Sequence, residues 1–248
     1  MSTIYILWLR QLKRYIRSKP RMLGSLGQPI LLLLALGFGF GPIYSKAGGG
    51  DYIQFLAPGI IGMGILFNAT FSGIEIIWDR QFGFLKETLV SPVSRLHIMI
   101  GRTLGGGTVA IFQGFIIFTI TLFIGFKIMS LNQLSIALVF MMLIALFFTA
   151  LGTAIASILN DMHAFPLVMN FVIMPLFFLS GALFPLEGLP KVFTFIARIN
   201  PLSYGIDGLR GALTGVSHFG LFTDFVVLSF LTVLILAIGS YLFSKIQI

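Results

Sequence analysis

The sequence predicts an all-α polytopic membrane protein with six transmembrane helices, an N-terminal interfacial amphipathic helix, and short outer re-entrant or surface helices between spans five and six. Of its 248 residues, 57% are hydrophobic and only 10% are charged, whereas a soluble domain has about 25% charged residues. Six stretches also lack Asp, Glu, Lys and Arg. A helix needs about 20 residues to cross a membrane, and each stretch is at least that long. These stretches are residues 22–45, 52–74, 103–126, 128–160, 162–186 and 225–244.

The composition excludes an ordinary soluble domain, and the spans leave room only for one membrane domain over residues 1–248. The net charge of +8 is attributed to membrane topology and lipid headgroups rather than to nucleic acid, because a basic groove for nucleic acid needs a soluble surface. Eleven of the sixteen bases lie before span one, between spans two and three, or at the C-terminus. The side richer in bases stays in the cytoplasm, so we expect a multi-pass protein of the cytoplasmic membrane with both termini inside.

The N-terminal residues 1–21 predict an interfacial elbow helix. Ile4, Trp8 and Leu12 recur at helical spacing on one face, and four bases lie on another, namely Arg10, Lys13, Arg14 and Arg17. A helix with Trp on its apolar face and bases on its polar face is typical of the membrane interface. Two interpretations stay open: a simple anchor before span one, or an elbow that also contacts a cytoplasmic partner.

The cytoplasmic connection at 79–97 mixes charge with apolar residues. Phe82, Leu85 and Leu89 share one helical face, and Ser91-Pro92 is typical of the start of a second helix. The segment is either an interfacial helix or a surface presented to a cytoplasmic subunit, with Phe82 and Phe84 as anchors. The candidate contact residues are Asp79, Arg80, Phe82, Phe84, Leu85, Lys86 and Glu87.

Ionisable residues within the spans are costly and indicate function or pairing. Glu75 lies near the inner end of span two. We interpret it, with Arg102, as a gate or polar link to the 79–97 segment, or as a structural partner of Arg80 or Arg102. Gln113 and Asn170, neutral polar residues in spans three and five, predict hydrogen bonds between helices rather than substrate contacts.

Span five is predicted to turn back partway, because the apolar run after residue 177 is interrupted by Pro185, Gly188 and Pro190. Short extracytoplasmic helices are expected over 185–220. Asp207 and Arg210 are three residues apart there and predict an ion pair on one helix face.

The sequence has no phosphate loop of the G-x-x-x-x-G-K-[ST] type, no H-E-x-x-H zinc pair, no G-x-S-x-G nucleophile motif and no cysteine. We therefore expect no catalytic, metal-binding or cofactor-binding residues in this chain, and no enzyme activity of its own.

Three segments resemble type-2 ATP-binding-cassette (ABC) transporter permeases. The first runs from Asp79 to Arg95 and continues with Gly101-Arg102; the second is Phe-Leu-Ser-Gly…Phe-Pro at 178–185, with Leu189-Pro190 after it; the third is Asn-Pro-Leu-Ser-Tyr…Leu-Arg at 200–210. Together with the span count, the resemblance covers essentially the whole chain. Residues 84–87 depart from it, because Thr-Leu-Glu commonly follows the glycine in that family, so the charge order of the partner contact differs here.

The resemblance implies a permease subunit that pairs with a second permease, identical or different, while two separate ATPase subunits carry ATP and Mg and dock on 79–95 as a coupling helix. It implies export, and the scarcity of charge favours a lipophilic or amphipathic compound, a lipid or a glycan as cargo. Phe177, Phe178 and Phe184 are the candidate path residues near the break in span five. The alternative function is an ATP-independent channel or an ion-coupled secondary transporter, which usually has acidic residues at mid-span.

Overall fold

The computed structural model describes residues 3–84, 93–130, 133–159 and 161–245, and the regular structure in these ranges is helical. This confirms the all-α polytopic class. The helices are α1 (Thr3–Arg17), α2 (Lys19–Lys46), α3 (Tyr52–Phe71), α4 (Ile74–Gln81), α5 (Arg95–Ile124), α6 (Leu134–Ile158), α7 (Ala164–Phe178, with a π-helical turn at Met169–Ile173), α8 (Lys191–Ile199), α9 (Pro201–Thr214) and α10 (Leu221–Ser244).

Five helical stretches in the described ranges are long and apolar enough to cross a membrane: α2, α3 with α4, α5, α6 and α10. The fifth predicted span differs, because α7 has 15 residues and therefore a length of about 22 Å, against a hydrocarbon core of about 30 Å. The chain leaves the helix at Leu179, and Gly181 adopts a φ of +77°. The helix of span five thus ends at Phe178, before Pro185, and the irregular backbone after it continues along α3, with Ala182 beside Gly59 and Leu183 hydrogen-bonded to Tyr52.

The two helices after this turn differ in environment. Helix α8 exposes Val192, Phe193 and Phe195 and lies at the surface. Helix α9 is buried over most of its length and packs against α3, α6 and α10, so it is not a surface helix. Gly208 permits this position, because a Cβ there would lie only 2.1 Å from the Phe140 ring.

Helix α3 occupies the centre of the molecule and packs against α2, α5 and α6. At its inner end it crosses α6 at backbone contact. A Cβ on Gly73 would lie 2.2 Å from the carbonyl oxygen of Gly152, and a Cβ on Gly152 would lie 2.4 Å from that of Thr70. This glycine crossing (Gly73 with Gly152) fixes where α4 begins.

Helix α1 lies along α5 rather than only on lipid. A Cβ on Gly105 would lie 2.7 Å from Gln11, and Trp8 Nε1 donates to Thr108 Oγ1 at 3.0 Å. The Tyr15 hydroxyl donates to the Gln113 side chain, which confirms the predicted interhelical hydrogen bond of Gln113. The elbow helix α1 is therefore fixed to α5 by these contacts.

Candidate functional site

Helix α4 carries a buried pair of carboxylates. Glu75 and Asp79 are one helical turn apart, and their side chains are 4% and 6% exposed. Arginines from three other helices surround them. The group, here named the inner charge cluster, consists of Glu75, Asp79, Arg10, Arg14, Arg21 and Arg102.

Glu75 binds arginines from the N-terminal helices. Its Oε1 lies 2.8 Å from Arg21 Nη1, and its Oε2 lies 3.6 Å from Arg14 Nη1. The predicted pairing of Glu75 with Arg80 or Arg102 is therefore wrong. Helix α1 and the start of α2 fold against α4 and bring closer bases, which spacing along the chain does not reveal.

Asp79 is the acceptor on which the buried arginine of the cluster depends. Its Oδ2 accepts from Arg102 Nη2, and its Oδ1 lies 3.3 Å from Arg10 and 3.9 Å from Arg14. Arg102 is 5% exposed, and its Nε and Nη1 have no hydrogen-bond partner in the described residues. Asp79 thus carries most of the compensation for a buried guanidinium.

Arg80 points away from the cluster and toward the end of α6. Its Nη1 donates to the carbonyl oxygen of Leu159 at 3.0 Å, and its Nη2 donates to that of Ser157 at 3.2 Å. A cation at a helix C-terminus satisfies carbonyls that have no partner within the helix. Arg80 therefore ties the start of the coupling segment to α6.

Two exposed aromatic residues follow α4 in the 79–97 segment, which we call the coupling segment after the expectation for its function. Phe82 is 71% exposed and Phe84 51% exposed, directly after α4. Leu85, Lys86 and Glu87, and the helix boundary predicted at Ser91-Pro92, lie outside the described residues. The cluster and Arg80 join the base of this segment to α1, α2, α5 and α6.

The broken backbone after α7 is held by side chains at the other end of the molecule. Arg210 Nη2 donates to the carbonyl oxygen of Gly181 at 2.9 Å, and its guanidinium lies 4.0 Å from the centre of the Phe55 ring. The Tyr52 hydroxyl donates to the carbonyl oxygen of Leu183 at 2.6 Å. Irregular backbone at membrane depth needs such protein partners.

The predicted ion pair of Asp207 with Arg210 does not form. Asp207 accepts from the backbone N–H groups of His218 and Phe219 at 2.7–2.9 Å, while Arg210 binds backbone carbonyls. Burial lowers the pKa of Arg210 to about 10, so the residue stays cationic at neutral pH. Asp207 and Arg210 thus bind backbone groups of neighbouring segments instead of each other: Asp207 binds N–H groups, and Arg210 binds carbonyl oxygens.

We expect Arg210→Met to destabilise the protein, since each buried carbonyl that loses its donor costs about 1–3 kcal/mol. The midpoint of thermal unfolding in neutral detergent measures this loss. Arg198→Met is the matched control, because Arg198 is exposed on α8 and its replacement is expected to leave the midpoint nearly unchanged. Equal midpoints for the two variants would contradict the structural role of Arg210.

The three candidate path residues have different environments. Phe177 is fully buried, with its ring centre 6.3 Å from that of Phe67. Phe178 and Phe184 are partly exposed and line an apolar cavity of about 460 Å³ beside Tyr44 and Tyr52. The structure thus brings only two of the three to one open surface.

The inner charge cluster links α4 to α1, α2 and α5 through ion pairs. Its carboxylates are occupied by arginines, and the described part of the chain holds no group of three His, Asp or Glu side chains that could bind a metal. Arg10, Arg14 and Arg21 were not predicted as partners of the acids; the four-residue spacing of Arg10 and Arg14 is the sequence signal that indicates a shared face.

Comparison with known proteins covers nearly the whole molecule. Residues 2–214 match the family model described as ABC-2 type transporter. The chain is 31% identical to nodulation protein J of Rhizobium leguminosarum bv. trifolii over 217 residues, which cover 84% of this chain and 82% of that protein. It is 29% identical to the inner membrane transport permease YadH of Escherichia coli K12, over 90% of this chain and 87% of that permease. A putative transport permease, ycf38 of Pyropia yezoensis, is 32% identical over 81% of this chain and 70% of that protein.

Proposed function

Because this chain belongs to the ABC-2 type transporter family, we propose that it is the permease subunit of an ATP-driven exporter. It pairs with a second permease chain and with separate ATPase subunits that supply ATP and Mg. The observation that carries this proposal is the inner charge cluster at the base of exposed Phe82 and Phe84. A surface that protrudes and is fixed to several helices can convert a push from outside into a movement of those helices.

The proposed orientation places both termini and the coupling segment in the cytoplasm. Helix α1 and the end of α4 lie on the same side, since Arg10 and Arg14 reach Asp79. That side carries most of the bases, which resist translocation. The ATPase subunits then approach from the cytoplasm, where ATP is made.

The proposed cargo is a lipophilic or amphipathic compound, a lipid or a glycan. Support comes from the apolar cavity that Phe178 and Phe184 line. Tyr44 and Tyr52 line the same cavity and add hydroxyl groups. Aromatic walls with a few hydroxyls suit a molecule with an apolar body.

The alternative, an ATP-independent channel or ion-coupled transporter, receives less support. Ion coupling usually requires an acidic residue open to the ion at mid-span. Glu75 instead lies near the inner end of its span, and both of its carboxylate oxygens face arginines. Family membership also favours ATP-driven transport.

We expect the double substitution Phe82→Ala and Phe84→Ala to abolish coupling, because truncating an aromatic anchor at a protein interface can cost 2 kcal/mol or more, over tenfold in affinity. The measurements are co-purification of a co-expressed candidate ATPase subunit and the ATP turnover of the complex in vesicles. Phe123→Ala is the matched control, since Phe123 is 87% exposed but lies at the far end of α5.

The double variant should fold, because Phe82 and Phe84 are both more than half exposed. Size-exclusion chromatography of the permease alone checks this point. If the double variant retains both the ATPase subunit and normal ATP turnover, Phe82 and Phe84 are not the coupling surface.

A further inference from the structure

An open groove separates α1 from the end of α4. Its volume is about 880 Å³. The elbow groove, as we name it, is defined by the bases Arg10, Lys13, Arg14 and Arg17 on one wall, with Trp78 and Phe82 on the other. Ile6 and Leu9 add apolar surface to the α1 wall.

The charges of the elbow groove do not balance. Its four bases recur at helical spacing on one face of α1 and are accompanied by a single acid, Asp79. Asp79 already binds Arg102, Arg10 and Arg14. Lys13 and Arg17 make no ion pair or hydrogen bond in the part of the chain that the structure describes, and neither is buried. The groove therefore presents uncompensated positive charge.

The elbow groove also lies at the boundary between membrane and water. Arg17 is separated from the first membrane helix, α2, by Ser18 alone. Ile6, on the apolar part of the groove, is 53% exposed, and the window of α2 that crosses the membrane is only 17% buried by protein. Surfaces of this kind at the interface are covered by lipid.

We propose that the elbow groove binds an anionic phospholipid. Lys13 and Arg17 contact the phosphodiester, and the first part of an acyl chain lies against Ile6, Leu9 and Trp78. A lipid fits both properties of the groove, because it brings negative charge and apolar chain in one molecule at the depth where α1 meets α2. Assignment to the cytoplasmic leaflet rests on the proposed orientation, whereas the binding itself does not depend on it.

The test compares the double variant Lys13→Gln/Arg17→Gln, which removes two positive charges, with the native full-length chain in neutral detergent. Short-chain phosphatidylglycerol is titrated, and bound lipid is counted by native mass spectrometry. Each base near an anionic lipid adds favourable binding free energy, and we expect the loss of two bases to weaken phosphatidylglycerol binding roughly 10- to 30-fold. The matched control is Lys191→Gln/Arg198→Gln, which removes the same charge from the amphipathic surface helix α8.

The expected result is loss of phosphatidylglycerol from the Lys13/Arg17 variant alone, with little binding of phosphatidylcholine by any variant. Four results would overturn the proposal: unchanged lipid binding in that variant, equal loss in the α8 control, equal binding of phosphatidylcholine, or competition by millimolar inorganic phosphate, which would indicate a free anion site. Loss of ATPase co-purification with unchanged lipid binding would also overturn it, since the groove would then be a protein-docking surface.

Discussion

Asp79→Asn is expected to cost about 3–5 kcal/mol of stability, the range for breaking a buried ion pair from one side. Among the three arginines that reach Asp79, Arg10 and Arg14 have side chains that are 43% and 36% exposed and can turn to water. Arg102 cannot, and its other nitrogens already have no partner in the described residues. The variant therefore leaves a buried guanidinium without its carboxylate. Unfolding midpoints in a denaturant titration of the purified permease measure the loss.

Two further variants separate a charge effect from general damage at this position. Adding Arg102→Met to Asp79→Asn removes the uncompensated charge, and we expect it to restore part of the lost stability. Glu187→Gln is the control for removing one acid of an ion pair, because Glu187 is 66% exposed beside His218 and exposed pairs contribute about 0–1 kcal/mol. If Asp79→Asn is as mild as Glu187→Gln, Arg102 does not depend on Asp79.

Gly152→Ala is expected to prevent stable packing of α6 against α3 and α4. The added methyl would lie 2.4 Å from the carbonyl oxygen of Thr70 and 3.0 Å from its Cα. These are backbone atoms, so no rotamer change relieves the overlap and the two helices must separate. Overpacking typically costs about 1–3 kcal/mol, and we expect the upper end of this range or beyond, measured as yield and unfolding midpoint in detergent.

The same crossing can be tested from its other side. Gly73→Ala places a methyl 2.2 Å from the carbonyl oxygen of Gly152, so it should have a similar effect. Gly39→Ala in α2 is the matched control, because a Cβ there meets nothing within 4 Å and alanine favours the helix by about 1 kcal/mol. Normal folding of both crossing variants would show that α3 and α6 do not approach at backbone contact.

The crossing and the cluster act on the same feature of the molecule. Gly73 directly precedes α4, and Glu75 and Asp79 follow two and six residues after it. The crossing sets the position of α4 against α6, while the arginines set its position against α1, α2 and α5. Under the proposed function, a displacement of this segment would be passed to the membrane helices as a movement of packed elements.

Prediction of function-bearing elements from the sequence succeeded where the signal is local. The spacing of Trp8 and its neighbours predicts the helix α1, and the breaks from Pro185 onward predict an interruption of span five, although the helix already ends at Phe178. The role of Gln113 followed from the cost of leaving an amide unpaired in a span. Spacing along the chain predicts the wrong partners for Glu75 and Arg210, because in both cases the fold brings a more distant group closer than the sequence neighbours.

Hydropathy and motif order are properties of contiguous residues, so they suffice to predict the membrane class, the positions of most helices and the family. The partners of the charged side chains depend on the packing of the helices: Arg21 binds Glu75 across 54 positions of the sequence, and Arg210 donates to the Gly181 carbonyl across 29. The tertiary structure also decided that α7 is short and that α9 is buried. A charge within a membrane protein is compensated by whatever group the fold brings within a few ångströms, and separation along the chain carries no information on that distance.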